Sequence, residues 1–325
     1  MRDEKNITIL TPVFNDWDAL RLLVAGITSL IPKLEINFSL MIVDDGSTSQ
    51  ADVNQLVEFK NYFEEVCLLT VAANLGHQRA IAVGLAHIAS SLTADAVLVM
   101  DCDGEDRPSD IPSLLAANQQ NPEAIIVAQR MQRSEGSLFR IFYGLYKMIF
   151  RVLTGRSIDF GNFCLIPGDF LNRMVHMPEL WNHLPGSIIR SKCRIIKVPT
   201  SRGERYAGKS SMNFLSLVTH GFSAMSVFTD FLFIRLFVFT GITSAFAIVG
   251  AFIIVLVRVM TDFAIPGWAS TLVSLAFVVL IQSITLLMIG IFMMLSARST
   301  PSFIPAIHAA SYVSETRYFS ARSEK

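Results

Sequence analysis

The first 130 residues alternate between two kinds of pattern. Short apolar runs at Ile7 to Val13, Phe38 to Val43, Val66 to Ala72, Ala96 to Met100 and Ala124 to Ala128 are separated by helix-like stretches. These lie near Trp17 to Leu30, Ala51 to Tyr62, Gln78 to Ala89 and onward from Pro108. Brief runs of β-branched and aliphatic residues bounded by turn formers read as buried strands. Strands that alternate with helices predict a mostly parallel sheet covered on both faces. A further apparent strand is Arg194 to Val198. Toward the C-terminus the pattern changes: Phe237 to Val257 carries no charge, and Ala269 to Leu295 is longer still. Helices of roughly 20 or more apolar residues reach across a bilayer.

Domain organisation follows from these runs. Residues 1–211 form the expected α/β domain and 212–236 a juxtamembrane helix. Residues 237–257 and 269–295 form two spans joined by the short link 258–268, and 296–325 a tail. Within the first domain, Ser137 to Leu153 places Arg140, Lys147 and Arg151 on one helical stripe, with Phe139, Phe142, Tyr146, Ile149 and Phe150 largely elsewhere. A basic, aromatic, amphipathic helix of this kind suits a bilayer surface; packing on the sheet with a solvated basic face is the alternative.

Composition supports the membrane reading, with 52% hydrophobic residues and a mean hydropathy of +0.47. The four cysteines include no CxxC pair, which argues against a disulfide framework or a zinc site and fits a reducing compartment. Net charge is zero, but residues 1–129 carry 7 basic and 18 acidic side chains, whereas residues 130–209 carry 14 and 5. Acid gathers where a cation would sit, and base where phosphates or anionic lipid would. The charged N-terminus leads into only a short apolar run, unlike a secretory signal. Arg298, Arg317, Arg322 and Lys325 follow the second span, whereas the link has Arg258 against Asp262. The expected arrangement is therefore an integral membrane protein with catalytic domain and tail in the cytoplasm.

In sheets of this class ligands lie beyond the carboxyl ends of the strands. Those ends read Thr11 to Asp16, Val43 to Thr48, Asn74 to Gln78, Asp101 to Asp106, and Gln129-Arg130, and all are polar. Each has a purely structural reading: Asp45-Gly46-Ser47 makes a good turn, and Asn15, Asp16 or His77 would cap a helix. Five polar ends on one sheet edge favour a nucleotide pocket. Strand alternation puts Asp101 and Asp103 on one side and Cys102 on the other. Two such carboxylates suit Mg²⁺ or Mn²⁺, although the same stretch also reads as a polar turn before the helix that Pro108 begins. No GxGxxG follows the first strand, and no GxxxxGK[ST] occurs, so phosphates fall to metal and arginine.

Thr11-Pro12-Val13-Phe14-Asn15, Val43-Asp44-Asp45-Gly46-Ser47, Asn74-Leu75-Gly76-His77-Gln78 and Asp101-Cys102-Asp103, in that order, resemble the GT-A domain of family 2 inverting glycosyltransferases. The likeness is greatest to polyprenyl-phosphate sugar transferases such as dolichol-phosphate mannose synthase and its bacterial two-helix relatives. The resemblance implies that Pro12, Phe14 and Asp44 contact the nucleoside, with Asn15, Asp16, Asp45 and Gln78 as further donor contacts. It implies that Asp101 and Asp103 bind metal and diphosphate. Glu105 stands where those relatives usually have glutamine, which makes it a candidate third metal ligand.

In Asp159-Phe160-Gly161-Asn162-Phe163-Cys164, relatives tend to show an acid after the glycine and a basic residue two further on. The amide of Asn162 does not titrate, so Asp159 becomes the nearby candidate general base; it is equally a turn residue before Gly161. A phosphate acceptor is already nucleophilic, so positioning can suffice. The basic loop Ser201 to Ser211 corresponds in the resembled family to one closing over the diphosphate. Arg202, Arg205 and Lys209 supply its cations, and Ser210 is a further donor contact. His176 and His183, with Pro178 between them, make an improbable metal pair.

The expected reaction is metal-dependent transfer of a sugar from a nucleotide donor to a membrane polyprenyl phosphate. Asp103, Asp159, Arg130, Arg202 and Arg205 are its catalytic candidates. The expected partners are the donor, the lipid and the bilayer, with self-association left open and no nucleic acid. Rival readings are transfer to a hydroxyl in glycolipid or polysaccharide synthesis, and a catalytically silent membrane scaffold. The Gln-x-x-Arg-Trp signature of processive synthases is absent from the sequence.

Overall fold

The computed structural model describes residues 6–34, 36–91, 94–130, 137–206, 214–261 and 267–320. The elements run β1 (Asn6–Val13), α1 (Trp17–Thr28), β2 (Asn37–Asp44), α2 (Val53–Phe59), β3 (Glu65–Val71), α3 (His77–Ser91), β4 (Ala96–Val99), α4 (Ile111–Gln120) and β5 (Ala124–Arg130). Next come α5 (Ser137–Thr154), β6 (Cys164–Pro167), α6 (Gly168–Val175), α7 (Leu184–Arg190), β7 (Arg194–Thr200) and α8 (Phe214–Ser226). The chain continues through α9 (Thr229–Met260), α10 (Trp268–Ser299), α11 (Pro305–His308) and β8 (Val313–Ser320).

The strands form one sheet in the order β7-β5-β6-β4-β1-β2-β3-β8. β4, β1, β2 and β3 run parallel, as the alternating pattern predicts, and β7 is parallel to β5. Strand alternation sorts the core into two layers. Leu10, Met41, Val43, Leu69, Val97 and Val99 face one way with Ile81 and Leu85 of α3. Ile9, Leu40, Ile42, Leu68 and Leu98 face the other way with Leu20 and Leu23 of α1 and Leu114 of α4. α3 lies close on the sheet because Gly84 has no side chain: a Cβ there would collide with Leu10 and come 2.7 Å from Val43. Truncating such buried aliphatics costs about 2–5 kcal/mol each.

Two strands depart from the expected pattern. β6 is antiparallel and wedged between β4 and β5, with Leu165 opposite both Leu98 and Ile126. β8, at the far end of the chain, adds antiparallel to β3, with Tyr318 opposite Cys67. Phe303 and Tyr312 pack on Trp181 with ring centroids 4.0 and 5.3 Å away, and the guanidinium of Arg79 lies 5.4 Å from the same ring. The expectation of a simple tail over 296–325 is thus corrected: residues 303–320 belong to the sheet domain, because β3 would otherwise end the sheet as an unpaired edge.

Residues 141–157 and 228–302 form a second unit. α9 and α10, each 32 residues, are long and apolar enough to cross a membrane. They pair antiparallel, and a Cβ on Gly290 would come 2.8 Å from the ring of Phe237. Arg235 donates to the carbonyls of Arg151 and Val152 at the end of α5. A guanidinium placed there satisfies carbonyls that a helix end leaves orphaned. On α5, Lys147, Met148, Ile149, Arg151 and Val152 are exposed, while Phe150 is buried and meets Phe228 edge-on.

Candidate active site

The ends of β1 and β2 are tied together by one amide. Asn15, in the left-handed region at φ 58°, accepts from the backbone N–H groups of Thr48 and Ser49 at 2.9 and 3.0 Å. Its own N–H donates to Ser47 Oγ at 2.9 Å. Asp44 Oδ1 accepts the Ser47 N–H at 2.9 Å. The buried Asp45 accepts from Leu75 N–H at 2.8 Å through Oδ1 and from Gly76 N–H at 2.9 Å through Oδ2. Both oxygens of Asp45 are therefore committed to the backbone, and Asn15 is committed to the same scaffold. These two expected donor contacts act on the loops rather than presenting free groups to a ligand. Pro12 is buried within β1, so its ring is inaccessible to a nucleoside, whereas Phe14 is 45% exposed. Asp16 is exposed and makes no side-chain cap to α1.

β4 ends at Val99, so Asp101 to Asp106 form a turn rather than a continued strand. The turn is tight at Gly104, φ +91°, where a Cβ would come within 2.9 Å of Glu204 O and the Tyr206 ring. This closeness lets residues 201–206 lie directly on the acids: Gly203 N–H donates to Glu105 O and Tyr206 N–H to Asp103 O, both at 2.9 Å. Side chains reinforce the contact. Glu105 Oε1 accepts from Arg202 at 2.6 Å and Arg205 at 2.9 Å, and Oε2 from Arg130 at 3.2 Å. Arg205 also reaches Asp103 Oδ2 at 2.9 Å, and Arg130 reaches Asp106 Oδ1 at 3.0 Å. Both oxygens of Glu105 are spent on guanidinium groups, so the expected third metal ligand is here the centre of an arginine cluster.

Protonation follows this packing. Burial works to raise the Glu105 carboxyl, but hydrogen bonds from Arg202 and Arg205 outweigh it and hold the group below its ordinary value. Burial raises Asp103, helped by the charges of Asp101 and Glu105. Burial and the charge of Asp101 push Asp106 upward against the pull of Arg130. Asp101 itself is held low because His77 and Arg130 outweigh its burial.

A chain of amides leads to Asp101 from α7. Leu184 N–H donates to Gln78 Oε1 at 2.7 Å, Gln78 Nε2 donates to Asn162 Oδ1 at 2.9 Å, and Asn162 Nδ2 meets His77 Nε2 at 2.9 Å. The backbone donor at Leu184 fixes the sense of the whole chain. His77 Nε2 also lies 3.0 Å from Asp101 Oδ1. One nitrogen cannot accept from Asn162 and donate to Asp101 at once, and Asp101 Oδ1 is left buried without a directed donor. Such an orphaned carboxylate oxygen, beside a second carboxylate at Asp103, has the chemistry of a hard-cation ligand. Among the described residues no group of three His, Cys, Asp or Glu side chains stands ready to hold a metal, so phosphate and water oxygens would complete any coordination shell.

Asp159 is held elsewhere. Its Oδ2 accepts from Gln129 at 2.6 Å and pairs with Lys197 at 2.7 Å, while Oδ1 is buried without a partner. Gln129 and Arg130 are consecutive in β5 and so project to opposite faces, which separates the attachment of Asp159 from that of Glu105. Lys197, Asp106 and the Asn162–His77 link escaped sequence reasoning. For Asp106 the signal was present, a fourth acid in the same stretch. For Lys197 there was none beyond an ordinary edge-strand lysine. Lys209 and Ser210 lie outside the described residues. His183 is buried as the cap of α7, accepting from Gly186 N–H at 3.0 Å, which removes it from any metal pair.

Among solved structures, glucosyl-3-phosphoglycerate synthase from Mycobacterium tuberculosis, in complex with Mn²⁺, UDP-glucose and phosphoglyceric acid, is similar in fold. It is 13% identical, with 70% of this chain and 80% of that chain covered and a TM-score of 0.52. Mannosyl-3-phosphoglycerate synthase from Rubrobacter xylanophilus is 13% identical, with coverage of 70% and 73% and a TM-score of 0.48. The family model described as glycosyl transferase family 2 matches residues 8–181, from β1 through the turn at Trp181. More than half of the chain is spanned by that match, and the protein belongs to glycosyl transferase family 2.

Proposed function

We propose that this protein moves a sugar from a nucleotide-sugar donor to the phosphate of a polyprenol at the cytoplasmic face of a membrane, with inversion at the anomeric carbon. One observation carries the reading: two carboxylates, Asp101 and Asp103, and three arginines, Arg130, Arg202 and Arg205, meet at the carboxyl edge of a mostly parallel sheet. Asp101 and Asp103 would hold Mg²⁺ or Mn²⁺, which when bound neutralises negative charge on the diphosphate. The similar synthase from M. tuberculosis was crystallised with Mn²⁺ and UDP-glucose.

The chain's own groups would then act by position and charge. Arg130, Arg202 and Arg205 offer forked donors to phosphate oxygens that gain charge as the bond from sugar to diphosphate breaks. Phe14, Asp16 and Asp44 lie where a nucleoside would rest, and Gln78 steadies the face bearing His77. A lipid phosphate oxygen attacks the anomeric carbon from the opposite side and needs no base, because it arrives as an anion. Membrane attachment through α9 and α10 would hold the reaction at the bilayer where the lipid acceptor resides. The exposed Lys147, Arg151, Met148, Ile149 and Val152 of α5 match a helix lying in the headgroup region.

A second reading, transfer to a hydroxyl, takes Asp159 as its base, whose buried Oδ1 has no partner. Membranes containing the full chain, incubated with labelled nucleotide sugars and then extracted for lipid, separate the two. The lipid-phosphate reading expects label in a mild-acid-labile lipid monophosphate, lost with chelator. Label in polymer or acid-stable lipid, or in none of the extracts, contradicts it.

A further inference from the structure

We propose that Glu105 is a positioning residue: it assembles the arginines of the site by drawing Arg202 and Arg205 onto the acidic turn beside Arg130. The inference rests on the glycosyl-transfer reading for its kinetic consequence, but not for its structural one. A carboxylate that receives three guanidiniums, at 2.6, 2.9 and 3.2 Å, is a junction and not a surface ion pair. It joins groups far apart in sequence: Arg130 ends a core strand, whereas Arg202 and Arg205 lie in the segment after β7. Three like charges gathered for a diphosphate repel one another before it arrives, and an anion among them offsets that repulsion.

Arg130 keeps Asp106 at 3.0 Å and Arg205 keeps Asp103 at 2.9 Å if Glu105 is lost. Arg202 loses the shortest contact of the set. The backbone bond from Gly203 N–H to Glu105 O is a single tie to the turn, and the Glu105 side chain adds both the register of the guanidiniums and anchorage of the segment that carries Arg202. A glutamine at the same place offers one carbonyl oxygen and no charge, enough for two arginines at most and without the ionic attraction.

The test is a mutant cycle on the full-length protein. Glu105→Ala is expected to lower kcat/KM for the nucleotide sugar about tenfold, mainly through KM, with Glu105→Gln intermediate; in an Arg202→Ala/Arg205→Ala background the same change costs less than about twofold. Trypsin cleavage after Arg202 in the Glu105→Ala protein is expected to quicken against wild type, a readout that needs no turnover. Additive losses in the cycle, or unchanged cleavage, overturn the proposal; additive losses with a raised Mn²⁺ requirement would give Glu105 to the cation instead. Faster cleavage in a protein that turns over no nucleotide sugar would leave the positioning role standing and defeat the transfer reading.

Discussion

Two acidic pairs stand at the same edge of the sheet, Asp44-Asp45 after β2 and Asp101 with Asp103 after β4, and they do different work. The first pair is tied to the backbone: Asp45 takes the amides of Leu75 and Gly76 with both oxygens, and Asp44 takes that of Ser47 with one. In the second pair Asp103 faces the guanidinium of Arg205, while Asp101 lies 3.0 Å from His77 Nε2 and keeps a buried oxygen without a donor. Backbone amides cannot move away when a ligand arrives, whereas guanidiniums on a loop can exchange a carboxylate for a phosphate. A carboxylate bonded to amides stiffens a site, and one bonded to mobile cations is available for binding.

The contrast can be broken most severely at Asp101. Asp101→Asn should lower turnover by about 100-fold or more, while the unfolding temperature stays level or rises because a buried charge has been removed. Asp45→Ala should do the reverse. It strands two part-buried N–H groups and should cost about 2 kcal/mol, visible as a lower unfolding temperature, with the donor KM of the surviving folded protein little changed. A loss of turnover without loss of stability at Asp45 would place both pairs in the same role.

Asp159→Asn sharpens the account of the acceptor. Transfer to a phosphate should fall by less than about tenfold, since no proton has to be taken, whereas transfer to a hydroxyl would fall by about 100-fold or more. The smallest effect is expected at Asn15. Asn15→Ala loses the acceptor that gathers Thr48 and Ser49 and puts a less tolerant residue at φ 58°, together costing about 1–2 kcal/mol of stability with a mild rise in donor KM.

The parallel core of the fold is legible in the chain because its strands are continuous apolar runs between turn formers. The two long apolar helices are legible by length. β6 is not, since four residues between Phe163 and Gly168 gain strand geometry from their neighbours β4 and β5. β8 is still less so: Val313 to Ser320 alternates polar and apolar residues weakly and becomes a strand through pairing with β3, about 250 positions earlier in the chain. At the site, the sequence marks which residues are acids but not what each acid faces. Asp45, Asp103 and Glu105 look alike in one dimension. The amides of Leu75 and Gly76 make Asp45 a backbone tie, and the approach of residues 201–206 separates the arginine junction at Glu105 from the metal-ligand candidate at Asp103.

Mn²⁺ binding to the full-length protein, followed by electron paramagnetic resonance during titration with nucleoside diphosphates, tests the central claim most directly. The account predicts that Mn²⁺ becomes bound when a matching nucleotide is present, and that Asp101→Asn/Asp103→Asn abolishes this while leaving the protein folded. Equal Mn²⁺ uptake by wild type and the double variant, or none by wild type with any nucleotide, would contradict it.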